Sequence, residues 1–145
     1  MIAFKQNADG SAGLQGSDLD DGGFITVMLP WSAVQNVAGI LTVSGPILNR
    51  RMVVKAISGV NDVVAANAAT ATIYRAPSAT ALGSGTALHT GTFNLQGAAA
   101  TNQALTLATN SATLDVAAGS RIGMVISTAP GATGCGCITV TLAPA

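Results

Sequence analysis

The sequence predicts an all-β chain, an antiparallel β-sandwich preceded by an extended N-terminal arm, and three observations carry that expectation. Short runs rich in Val, Ile, Thr and Leu recur along residues 23–145, separated by Gly, Pro, Asn and Ser. The closing run Ile138-Thr139-Val140-Thr141-Leu142 alternates apolar and polar residues at the period of a strand with one buried face. No segment sustains the 3.6-residue apolar period of an amphipathic helix, and the 145 residues suffice for one domain with a core of its own.

Taken in order, residues 1–22 hold four Gly and four Asp with isolated Leu14 and Leu19, and read as an arm. Ile2 and Phe4 alternate with polar neighbours as a short edge strand would, while Asp18 to Gly23 is turn-like. The folded domain is expected over 23–145. Its first strand is Phe24–Leu29, stopped by Pro30 because proline cannot donate to a central ladder. Val34 to Val43 mixes helical Ala content with a strand-like Ile40-Leu41-Thr42-Val43, closed by the breakers Ser44-Gly45-Pro46. Arg51 to Val60 is the next strand, with Val53, Lys55 and Ile57 on one face and Val54, Ala56 and Ser58 on the other. Asn61 to Ala69 connects to a strand at Thr70–Ala76, and Pro77 to Gly85 is a loop. Leu88–Leu95 and Gln103–Ala108 read as strands flanking a soft Gly- and Ala-rich segment. Ser111 to Thr128 reads as a hairpin, with Leu114, Val116, Ile122, Met124 and Ile126 toward the core and the reversal at Gly119.

Composition narrows the function. Only 8% of the residues are charged, against roughly 25% in ordinary soluble chains, and the mean hydropathy is +0.51. A surface left to Ala, Thr, Ser, Asn and Gly suits packing against neighbours, so an oligomer is expected. Six basic and six acidic residues cancel, and no basic stripe with interleaved aromatics appears, which argues against nucleic acid or anionic membrane as a partner. The longest apolar runs fall well short of the ~20 residues of a spanning helix. Residues 1–22 lack the apolar stretch of a secretory signal, so a cytoplasmic site of synthesis is expected.

No residue pattern announces a reaction. His89 is the only histidine and has no Cys or Glu nearby at metal-ligand spacing. Cys135 and Cys137 read as small buried hydrophobes opening the last strand. The Asp18, Asp20, Asp21 cluster lacks the closing glutamate of a calcium loop, and no serine sits in a nucleophile elbow. The expectation is therefore no enzyme, no catalytic residue, no metal and no cofactor. Arg50 and Arg51 precede a strand, where they serve either as edge protection or as a salt bridge to a partner. With Ile2, Phe4, Leu14 and Leu19 they make up the candidate partner-binding set.

Four stretches carry a family resemblance over about residues 24–143: Val53-Val54-Lys55-Ala56-Ile57, Gly83 to Leu88 before Phe93-Asn94-Leu95, Leu114 to Ile122, and the final strand ending at Leu142. They resemble the β-sandwich, jelly-roll-like module of tailed-bacteriophage virion proteins, above all head decoration (cement) proteins. The family's turn commonly reads Gly-Asp-Arg, and here Ser120 stands in place of the acid before Arg121, which removes a charge that would pair with the arginine. The resemblance implies a jelly-roll-like sandwich that binds the outside of a phage capsid and stabilises it. The major capsid protein is the implied partner, a homotrimer the implied state and the virion surface the implied location. A head-fibre or tail-associated receptor- or carbohydrate-binding module is the alternative, for which one Trp, one Tyr and three Phe are few stacking aromatics.

Overall fold

Alternation of buried and exposed residues along successive runs places one face of each strand inward, and two antiparallel sheets close over those faces. The computed structural model describes residues 5–6, 12–13, 23–33 and 41–145. Its strands are β1 (Lys5–Gln6), β2 (Ala12–Gly13), β3 (Ile25–Ser32), β4 (Leu41–Ile47), β5 (Met52–Val63), β6 (Thr70–Pro77), β7 (Thr86–Ala87), β8 (Phe93–Asn94), β9 (Asn102–Leu105), β10 (Asp115–Val116), β11 (Ser120–Ile126) and β12 (Cys135–Pro144). One helical turn, α1 (Ser111–Leu114), is capped by Asn110, whose Oδ1 accepts from the Ala112 N–H at 3.0 Å. Strands β1 and β2 pair with each other as a small ribbon. Ile2, Phe4, Leu14, Leu19, the Asp18 to Asp21 cluster and the Val34 to Ile40 part of the helix-or-strand segment lie outside the described residues.

The first sheet runs β3-β12-β5, with β9 and β10 sharing the far side of the long β5. The second runs β4-β11-β6, with β7 and β8 sharing the far side of β6. Pairing is nested: β3 with β12, β4 with β11, β5 with β9 and β10, β6 with β7 and β8. That nesting is the winding of a jelly roll, so the antiparallel sandwich expected from the sequence is the fold. Between the sheets lie Leu29, Trp31, Met52, Ile57, Ile73, Phe93, Leu95, Ile122, Met124, Ile138, Val140 and Leu142.

Four expectations are corrected, each for a physical reason. The Ser111–Thr128 hairpin does not form. Residues 111–114 are helical, β10 pairs with β5 in the first sheet, and β11 lies in the second between β4 and β6. The turn at Gly119, with φ of +83°, is thus a corner between sheets. Val116, Ile122, Met124 and Ile126 are buried as expected, whereas Leu114 packs against the core from α1 and is only partly buried. Pro30 does not end its strand, because β3 is an edge strand and the missing N–H costs no ladder bond there. Ser44-Gly45-Pro46 likewise stays within the edge strand β4, where Gly45 and Pro46 together oppose Ile122 of β11 in a bulge. In β5 the expected two faces fail, because Thr141 pairs with Ala56 and Leu142 with Val54, leaving Lys55 as an extra residue. The bulge resets the alternation, so Val54 and Ile57 both point into the core.

The run 88–95 also contributes less strand than expected, since only Phe93 and Asn94 pair regularly. The segment 102–108 begins as β9 in the first sheet. It then bridges to residues 88–90, with His89 opposite Leu107, and closes the flank between the sheets.

Candidate interaction surface

The two sheets expose very different outer faces. On β11 of the second sheet Gly123 points outward, and a Cβ there would stand 2.3 Å from Leu82 Cδ1 and 2.7 Å from the Val43 carbonyl oxygen. Glycine is required because the 77–85 loop lays Leu82 directly on the strand. Leu82 is 2% exposed. Arg121, two residues before it, ties the same loop down by donating from Nη1 to Ser78 O at 3.0 Å and from Nη2 to Thr80 O at 2.9 Å. This arginine thus serves neutral carbonyls of its own chain, in keeping with a turn that carries Ser120 in place of an acid.

The outer face of the first sheet has a different character. It carries Phe24, Thr26, Met28 and Pro30 from β3 and its lead-in, Cys137, Thr139 and Thr141 from β12, Ala56, Ser58 and Val60 from β5, and Asn102 and Ala104 from β9. None of these is charged. Lys55 and Asp62, near opposite ends of this stretch of β5, are exposed and of opposite sign. Met28 is 65% and Phe24 60% exposed, large values for apolar side chains on a monomer surface. The polar groups between them are short. Thr139 Oγ1 already donates to Ser58 O at 3.2 Å, so covering it strands no donor.

Cys135 and Cys137 belong to this face. Burial was the expectation, but both sit half-exposed, because the inner positions of the Gly134-Cys135-Gly136-Cys137 run are taken by glycines beneath the Trp31 indole. A Cβ on Gly136 would lie 2.7 Å from Trp31 Nε1, and one on Gly134 2.8 Å from Trp31 Cζ3. Trp31 fixes the phase of β12, and the phase turns both thiols outward.

At the end of the sandwich where residue 23 enters, the exposed Ile25 and Ile47 accompany Phe24. Leu142 of β12 pairs there with Ile25, and Pro144 with Met52, which places the Asn49-Arg50-Arg51 corner at the same end. Arg50 is exposed in that corner. Arg51 donates from Nε to Asp115 Oδ1 at 2.8 Å and Oδ2 at 3.0 Å, with Nη2 also on Oδ2, a bidentate pair joining the starts of β5 and β10. The hydrogen bond from Arg51 holds the Asp115 carboxyl below its ordinary range, and the same pair raises the arginine. Of the sequence-derived partner-binding residues, the structure therefore describes Arg50 and Arg51, and both interact within the chain.

His89 has a structural task. Its Nε2 accepts the Ile73 N–H at 2.9 Å, a backbone group of β6 at the gap between β7 and β8, and Nδ1 lies 3.3 Å from Thr90 O. The imidazole stands in for a missing strand. Burial pushes its pKa below 6.5, against a smaller opposing effect of the Thr90 carbonyl. Among the described residues no three His, Cys, Asp or Glu side chains converge as a metal site, and no helix is long and apolar enough to cross a membrane.

The open sheet face was not found from the sequence. Its signal lay in the alternation itself, because the outward positions of β3 and β12 hold no charge where a solvated face ordinarily carries several.

No protein-family model and no curated protein matches the chain. Among solved structures, a chain from the structure of infectious bursal disease virus Gx strain is similar over 84% of this chain at 16% identity, with a TM-score of 0.38. The match spans 32% of that chain, about a third of its length.

Proposed function

We propose that this protein is a structural component of a bacteriophage virion that binds the outside of the head and stabilises it, acting as a homotrimer with no catalytic role. The observation that carries this reading is the nature of the free surface. What the described residues offer a partner is an uncharged sheet face and an apolar end, rather than a cleft with convergent titratable groups. Low charge throughout the chain and the resemblance of its β-sandwich to phage decoration proteins support the same reading.

Attachment to the head is assigned to the end that carries Ile25, Ile47 and Arg50, together with the arm of residues 1–22 and its Ile2, Phe4, Leu14 and Leu19. A ligand that binds only the assembled shell raises the shell's stability by mass action, so no chemistry is needed. The partner is the major capsid protein, and the site of action is the virion surface after synthesis in the host cytoplasm.

The test is co-sedimentation of the purified protein with phage heads stripped of surface proteins, with isolated tails as the second arm. Saturable binding to heads that raises their disruption temperature is expected. Binding to tails alone would replace this reading with the fibre or receptor-binding alternative.

A further inference from the structure

The open face of the β3-β12-β5-β9 sheet points to a specific occupant, and we infer that it is a second copy of this chain, the β3 half of each copy seated on the β5–β9 half of the other. The two halves differ in height. Phe24 and Met28 stand up from the β3 side, whereas Ala56, Ser58 and Ala104 leave the other side low. A raised half and a recessed half on one surface are complementary to each other, so two copies related by a twofold axis fit face to face, each raised half on the other's recessed half.

Charge and edges favour the same occupant. An uncharged face meets an identical one without like-charge repulsion, and it offers nothing to a strongly charged partner. Strand addition at the sheet edges is hindered, because the edge strands β3 and β4 carry Pro30 and Pro46 and the opposite edges are made of the short strands β9 and β10 and β7 and β8. The contact therefore forms through a face, and on the other sheet Leu82 covers the middle of the outer face over Gly123. Three strands about 4.8 Å apart and about eight residues long at ~3.4 Å per residue, with the four-residue β9 beside them, give a patch of roughly 450 Å² before relief is counted. That is of the order of the ~800 Å² each partner contributes to a standard interface.

The contact joins two copies and does not rest on the virion reading, whose three-copy state calls for a second surface. The chain supplies its own probe, since its two cysteines both lie on this face. Maleimide labelling of the unmodified full-length protein is followed across a dilution series, with light scattering reporting mass. Labelling is expected to be several-fold slower in the oligomer and to recover as the oligomer dissociates. Thr141→Glu places a charge on the central strand of the face and is expected to weaken association at least about a hundredfold, whereas Thr42→Glu on exposed β4 leaves it intact.

Equal labelling rates in oligomer and monomer would overturn the inference, as would a monomer at high concentration. Slow labelling that persists in the dissociated monomer would show that the chain covers its own face, and would overturn it equally. An oligomer that protects its thiols but ignores phage heads would leave this contact standing and remove the virion reading instead.

Discussion

The outer faces of the two sheets differ in what covers them. The middle of the β4-β11-β6 face is covered within the chain: glycine at 123 lets Leu82 sit on the strand, and Arg121 holds the loop that carries it. The β3-β12-β5-β9 face has no such covering loop among the described residues and carries its thiols and its largest exposed methionine outward. Both belong to one fold with the same strand count, so the difference lies in side-chain choice and a single loop. A face that a chain closes with its own loop contributes to folding. One left open and uncharged contributes only when another surface arrives.

Truncations on the two faces should separate these roles. Leu82→Ala removes a fully buried side chain and is expected to cost about 2–5 kcal/mol. Met28→Ala, on a side chain 65% exposed, should stay within about 0.5 kcal/mol in the dissociated protein. Urea unfolding measured below the association range reads both values, and comparable losses would erase the distinction.

A smaller contrast concerns pH. The closed sheet depends on the neutral His89 imidazole, whose folded pKa lies below its unfolded value of 6.5. As pH falls below about 6.5 the unfolded chain takes up a proton that the folded chain resists, so stability declines there and is full above it. A His89→Gln variant should lose that slope in a series of melting temperatures between pH 7.5 and 5, and an unchanged slope would remove His89 as its source. The open sheet responds only in more acid solution, through Asp115. Its carboxyl is held low by Arg51, so the stabilisation is present above the ordinary carboxylate pKa and is lost as pH falls through the lowered one. The pair is well exposed, with Arg51 at 67%, so Asp115→Asn is expected to lower the melting temperature only slightly. A large drop would make the ion pair a structural clamp rather than a surface contact.

Much of the sandwich was legible in the sequence, for reasons particular residues make plain. In β6 and β12 a buried face alternates with a solvent face, so Ile73, Ile138, Val140 and Leu142 are found by spacing alone. Spacing fails where a bulge resets the count at Lys55, and proline reads as a stop until its strand is known to be an edge. The supposed hairpin after Ser111 fails more instructively. Two neighbouring apolar runs do signal strands, but nothing local states which sheet each will join, and in a jelly roll partners are often remote in sequence. The candidate surface was legible only in negative form, as missing charge. Locating it required knowing that Trp31 sits over Gly134 and Gly136 and so turns Cys135 and Cys137 outward.

The placement of β12 also dictates when the molecule can assemble. Residues 135–144 do not trim an edge but run up the middle of the first sheet, between β5 and β3, so β3 has no partner strand in its sheet until they are in place. During translation the segment 25–32 must wait for residues 135–144 to emerge before its ladder can form. Pairings this remote close slowly, on the order of milliseconds to seconds for sandwich topologies. A polypeptide interrupted before Cys135 would present neither a finished core nor the central strand of the open face. Assembly is thereby made conditional on synthesis through residue 144: the strand that finishes folding is the same one that carries the middle of the contact.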